Sequence, residues 1–178
     1  QRSNGPVTVL SFGDSVSDDY RSIQASLFAR LQERFGARGT AFKCRSFKEA
    51  GGGTTLISWG PDWWTDYAKV PPGGYVAWHP EQCNNVGLFW VARPDGGLLQ
   101  LSAVEGSTIL PLLTLDGQSP TPVGCYTNVS LSRAYRGLRA DGLSGTNVMV
   151  GARFVDTTGT GIWTAFMTKD GQNLDSIL

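Results

Sequence analysis

The sequence predicts an α/β segment followed by a mostly antiparallel β-sandwich, with β structure dominant in the chain as a whole. Three observations carry this. A buried-strand pattern at residues 7–12 runs straight into an amphipathic helical stripe; a glycine-, proline- and tryptophan-rich stretch then interrupts both periodicities; and the second half is a succession of short strand-like runs separated by turn residues.

Val7-Thr8-Val9-Leu10-Ser11-Phe12 is apolar and β-branched and closes on Gly13, as a buried strand does when it ends in a tight turn. Beyond it Val16, Tyr20, Ile23, Leu27, Leu31 and Phe35 recur at helical spacing, Phe28 widens the stripe, and Gln24, Arg30, Glu33 and Arg34 fall mostly off it. Ser17 is placed to cap this helix. Asp18 and Asp19 put negative charge at its positive end, and Gly36 stands where a left-handed C-terminal residue is wanted.

Residues 37–74 read as a loop-rich connection containing Gly51-Gly52-Gly53, Trp59, Trp63, Trp64 and Pro71-Pro72. Candidate strands then follow at Val86–Ala92, Leu98–Val104, Ile109–Leu115, Tyr126–Leu131, Asn147–Val155 and Gly161–Met167. Arg93-Pro94-Asp95-Gly96-Gly97 is a hairpin signal between the first two, and Asp116-Gly117 and Asp141-Gly142 mark further turns. Leu99, Leu101 and Ala103 alternate with Gln100 and Ser102, which predicts one buried and one wet sheet face. Short strands divided by turns predict a β-sandwich.

The 178 residues balance 15 basic against 15 acidic side chains, and neither sign is concentrated, so no nucleic-acid or membrane-surface partner is expected. No apolar run approaches the roughly 20 residues of a membrane helix. Gln at position 1 points to a mature, secreted or periplasmic chain, or to a fragment. Cys44, Cys83 and Cys125 match neither zinc-site nor CxxC spacing; at most one disulfide forms, and buried free thiols are the alternative. Asn128-Val129-Ser130 has the form of a glycosylation acceptor, a triplet common by chance.

The chemistry concentrates at Gly13-Asp14-Ser15. A serine between the C-terminal end of a strand and a helix N-terminus exposes its hydroxyl beside unpaired backbone N–H groups and the positive end of the helix dipole. These groups stabilise the oxyanion of ester hydrolysis. The same position also suits Asp14 and Ser15 as plain turn and capping residues.

Val9-Leu10-Ser11-Phe12-Gly13-Asp14-Ser15 resembles the first sequence block of the GDSL/SGNH hydrolases, and the helix after it fits that family too. The resemblance implies a partial flavodoxin-like three-layer segment with a β-sandwich inserted after the first helix. That is the layout of SGNH enzymes that remove acetyl groups from polysaccharides or peptidoglycan. Residues 1–54 would then be the N-terminal part of the hydrolase domain, 55–166 a loop-rich lead-in and sandwich, and 167–178 the return to the hydrolase. Ser15 would be the nucleophile and, with Gly171, an oxyanion donor, while Gly13 and Asp14 would shape the turn. Asp170-Gly171 also reads as an ordinary turn.

The family's GxND asparagine and DxxH aspartate and histidine have no counterpart in these residues. The resemblance therefore implies that a further C-terminal segment or a second chain supplies the Asp/His pair, and that this chain alone is almost inactive. His79 is the one histidine, with Val76 where the family's aspartate would stand, and reads as structural.

Trp59, Trp63, Trp64 and Trp78 offer indole faces for sugar rings, or else core area where loops pack on the sandwich. Asp62 and Asp66 read as a solvated face; no metal or cofactor is expected, and Gly51–Gly53 lacks the lysine of a phosphate loop. The function predicted is serine-dependent hydrolysis of an acylated carbohydrate or small ester. The alternatives are a non-catalytic carbohydrate-binding module and a sandwich without a small ligand.

Overall fold

The computed structural model describes residues 7–13, 27, 30–31, 33–34, 37–44, 49–57, 67–78, 83–135, 137–157 and 162–168, with the backbone alone at 7–13, 37–44 and 162–168. The strands are β1 (Val7–Gly13), β2 (Ala37–Cys44), β3 (Glu49–Gly51), β4 (Thr55–Ile57), β5 (Tyr67–Val70), β6 (Tyr75–Trp78), β7 (Cys83–Ala92), β8 (Leu98–Glu105), β9 (Thr108–Asp116), β10 (Val123–Tyr135), β11 (Gly137–Gly142), β12 (Asn147–Val155) and β13 (Ile162–Thr168). Leu27, Arg30, Leu31, Glu33 and Arg34 are helical, as predicted, and Leu27, placed on the apolar stripe, is 49% exposed.

Two mostly antiparallel sheets form. The larger, eight-stranded, runs β1-β13-β2-β12, with β5-β4 continuing beside β2 and with β7 and then β10 on the other edge of β12. The smaller runs β3-β6-β11-β8-β9. β1 and β2 both lie parallel to β13. Parallel strands cannot be joined by a tight turn, and the segment between β1 and β2 that contains the helical residues makes the crossover.

The inward faces of the two sheets share one core. Ala68, Val70, Val86, Leu88, Met149, Ala152 and Phe154 come from the larger sheet; Val76, Trp78, Leu99, Leu101, Ala103, Leu115, Leu138 and Ala140 come from the smaller. β8 keeps the predicted alternation at Leu99, Leu101 and Ala103, with Gln100 part-exposed, but Ser102 is buried at 1% exposure. Each fully buried Leu or Met contributes about 1.5–3 kcal/mol relative to an exposed one.

All six candidate strands of the second half are present, and three expectations change. The described part of residues 37–74 is not chiefly loop: β2 to β5 lie there, and β6 begins at Tyr75. β3 and β4 are three residues each, too short for a period to register, and they stand in different sheets joined by a turn at Gly52 and Gly53. Arg93–Gly97 does turn, with the Gly96 N–H donating to Arg93 O at 3.0 Å, but it closes no hairpin. Both edges of β7 are taken by β10 and β12, and both edges of β8 by β9 and β11, so the turn crosses between sheets. Asp141-Gly142 ends β11, paired with Gln100 and Leu99, rather than forming a turn. The tight hairpin is β8–β9, closed by Gly106-Ser107 with Gly106 at φ 58°.

Candidate functional site

β1 ends at Gly13, paired with Thr168 of β13, so the strand predicted to lead into Asp14-Ser15 stops where that turn would begin. Asp14, Ser15, Gly171, His79, Trp59, Trp63 and Trp64 lie outside the described residues. Trp78 corrects one expectation: it is 1% exposed, edge-on to Phe154 at 6.2 Å between ring centroids, and presents no face to a sugar. Its position on β6, between buried Val76 and the opposite sheet, makes it a core residue.

Cys83 and Cys125 are free thiols. Burial pushes the Cys83 thiol up to about 12, with Asp156 adding to the shift, so this sulfur stays protonated and is no nucleophile. Among the described residues no three His, Cys, Asp or Glu side chains gather as metal ligands, and no helix is long and apolar enough to cross a membrane.

One concavity among the described residues lies on the outer face of the smaller sheet. Because Val76, Trp78, Leu138 and Ala140 point into the core, Tyr75, Ala77, Arg139 and Asp141 point out. Glu49, Ala77, Arg139 and Ser102 stand in one row across β3, β6, β11 and β8. A hollow of about 230 Å³ opens at this row, lined by Glu49, Tyr75, Ala77 and Arg139 on β3, β6 and β11 and by Val104, Ser107 and Ile109 at the β8–β9 hairpin.

Arg139 is held rigidly in this wall. Its Nη2 and Nε donate to Asp141 Oδ1 at 2.6 and 2.7 Å, and its guanidinium lies 3.8 Å from the Tyr75 ring centroid. The Tyr75 ring in turn covers Gly51, where a Cβ would come within 2.7 Å of it. A fixed planar cation over an aromatic face is preorganised for directional hydrogen bonding. Together with a carboxylate and the apolar Ala77, Val104 and Ile109, it makes a lining that suits a molecule with hydroxyls on its rim and C–H groups on its faces. Ser107 is the hydroxyl side chain among the lining residues.

Sequence reasoning missed these residues. The signal available was Arg139-x-Asp141, since residues two apart on a strand share a face, but it required β11 to be recognised as a strand.

No family model matches the chain, and no curated protein matches it. Among solved structures, a peptidoglycan O-acetylesterase superimposes with a TM-score of 0.69 at 16% identity, covering 98% of this chain and 50% of that one. This chain therefore spans half the length of that esterase and shares its fold over that half. Carbohydrate-binding modules superimpose over a smaller part. The C-terminal family 6 module of a marine laminarinase from Zobellia galactanivorans has a TM-score of 0.47 at 14% identity, covering 65% of this chain and 97% of the module. A module of a Cellvibrio mixtus lichenase in complex with cellotriose has a TM-score of 0.43 at 18% identity, covering 68% and 97%.

Proposed function

We propose that this chain carries the nucleophile segment and the accessory β-sandwich of an SGNH-type serine ester hydrolase that deacetylates a glycan. The observation that supports it most is the fold shared over nearly the whole chain with a peptidoglycan O-acetylesterase. The end of β1 at Gly13, directly before Asp14-Ser15, is consistent with it.

In this reading residues 1–54 and 167–178 belong to the hydrolase domain and 55–166 to the sandwich. Gly13 and Asp14 shape the turn. Ser15 Oγ attacks the acetyl carbonyl and loses its proton to a histidine base; the tetrahedral oxyanion is held by the N–H groups of Ser15 and Gly171. Collapse expels the sugar hydroxyl, which takes that proton, and leaves an acetyl-serine that water then hydrolyses to acetate. The histidine and its aspartate come from polypeptide outside these 178 residues, since the chain has one histidine and no aspartate three residues before it. The reading places the protein outside the cytoplasm, where peptidoglycan lies.

Fluorophosphonate labelling tests this, applied to the chain alone and to a form that includes an Asp-x-x-His block. Labelling at Ser15 in the second form alone, abolished by Ser15→Ala, is the expected result. Acetyl-ester turnover by that form that is indifferent to Ser15→Ala would sink the proposal.

A second reading, a glycan-binding module without catalysis, is favoured by the hollow at Arg139. It expects saturable oligosaccharide binding weakened by Arg139→Ala, with no labelling of Ser15 in either form.

A further inference from the structure

We infer that the outer face of the larger sheet carries a second sugar-binding surface, a flat platform built on Tyr126 that takes a pyranose ring of a neutral polysaccharide strand. The inference rests on the glycan-directed reading above and adds a site to it. Val86 and Leu88 of β7 and Ala152 and Phe154 of β12 face the core, so Asn85, Gly87, Phe89 and Arg153 face outward. Through the β10–β7 register Tyr126, Asn128 and Ser130 join them.

Two features make the platform flat. Gly87 has no side chain, and the Tyr126 ring lies on it: a Cβ there would stand 2.5 Å from the phenolic oxygen and 2.7 Å from Cε2. The ring is then fixed at its tip and one side. Tyr126 OH donates to Asn128 Oδ1 at 3.3 Å, and the Phe89 ring lies 5.0 Å away between centroids at an interplanar angle of 46°. Arg153 reaches across the same glycine, its Nη2 donating to Asn128 Oδ1 at 3.1 Å and to Asn85 Oδ1 at 3.3 Å, with its Cζ 5.8 Å from the Tyr126 ring centroid. Asn85 Nδ2 completes the network by donating to Ser130 Oγ at 3.4 Å.

With one face of the ring on Gly87, the residue remains 49% exposed. An aromatic face is electron-rich and attracts the positively polarised C–H groups on the flat side of a pyranose. Exposed Asn128 and Ser130 border the ring and offer amide and hydroxyl groups to sugar hydroxyls. The rim is amide, hydroxyl and one guanidinium held by amide oxygens, which suits an uncharged polymer better than a polyanion. Along the strand, Gly124, two residues before Tyr126 on the same face, has no atom among the described residues within 4 Å of where a Cβ would be.

The test is calorimetric titration of the chain with cellohexaose and with an N-acetylated chito-oligosaccharide of the same length, the fold of each variant being checked by circular dichroism. Tyr126→Ala is expected to weaken binding by about tenfold, the upper range for a stacking ring. Tyr126→Phe, which keeps the ring and loses the bond to Asn128, should remain within about twofold. Gly87→Ala, which keeps the tyrosine but lifts it from the sheet, should behave like Tyr126→Ala. Wild-type binding in both Tyr126→Ala and Gly87→Ala overturns the platform, and if Arg139→Ala then removes binding, the glycan reading stands without it. Failure of the unmodified chain to bind either oligosaccharide overturns the platform and the sandwich's glycan role together, whereas the esterase reading is decided separately by Ser15 labelling.

Discussion

Gly52 and Gly73 meet backbone to backbone: a Cβ on Gly52 would stand 2.0 Å from the carbonyl oxygen of Gly73, and the two residues have φ of 62° and 77°. Each belongs to a turn that carries the chain between sheets, β3 to β4 and β5 to β6, so their contact ties the two crossings together at one edge of the sandwich. Gly73 N–H also donates to Gly142 O at 2.8 Å, which joins the end of β11 to the same corner.

Gly52→Ala should therefore destabilise the fold by about 2 kcal/mol or more, combining left-handed strain with a clash against backbone that has no room to yield. Gly53→Ala isolates the first effect, since φ is 83° there but the nearest atom to a Cβ is Pro71 Cγ at 3.7 Å; about 1 kcal/mol is expected. Urea denaturation of the two variants measures the difference, and equal losses would refute the packing argument.

Asn147, 3% exposed, bridges three separate backbone groups: its Nδ2 donates to Leu98 O at 3.2 Å and Ser144 O at 3.0 Å, and its Oδ1 accepts from Gly97 N–H at 3.4 Å. Asn147→Ala strands buried polar groups and should cost about 2–3 kcal/mol. Asn147→Asp retains the acceptor but loses both donors, so it is expected to rescue little. A shift of the denaturation midpoint at constant slope reads the effect.

Trp78 provides a check on the burial of the tryptophans. Trp78→Ala should lose about 3–5 kcal/mol through the cavity it leaves. Trp78→Phe should keep most of the stability, and oligosaccharide affinity should stay at the wild-type value once the variant is folded. A selective loss of affinity in the Phe variant would return this residue to the list of sugar contacts.

Stability should fall with pH through Cys83. Its pKa rises from 9.0 in the unfolded chain to about 12 in the fold, so above 9 the unfolded state gives up a proton that the native state retains. The stabilising contribution is complete below 9 and is lost as pH climbs towards 12. Cys83→Ala should flatten the stability profile over that window relative to wild type, and the native thiol should resist iodoacetamide at neutral pH until denaturant is added.

Periodicity was a sound guide where strands were long and one face was buried. Leu99, Leu101 and Ala103 show this, as do the runs that became β7, β9, β10 and β12. It failed for β3 and β4, where three residues carry no period, and for β11, whose Gly137, Arg139, Asp141 and Gly142 look like turn material until β6 and β8 flank it. The hollow was hidden for the same reason, because Glu49, Tyr75 and Arg139 are brought together by the pairing of β3, β6 and β11 and by no local spacing.

By itself the sequence determined where the chain can turn and which residues must leave water, because backbone sterics at Gly and Pro and the apolar character of alternate side chains are local properties. It also determined the strand that ends at Gly13 before Asp14-Ser15. Only the tertiary structure decided which strands are neighbours. Arg93–Gly97 turns as its residues dictate, yet joins two sheets because every edge of β7 and β8 is occupied by strands distant in sequence. Hydrogen-bonding edges are satisfied by whichever partner buries the most apolar surface across the whole fold, and that competition is not encoded in any one segment.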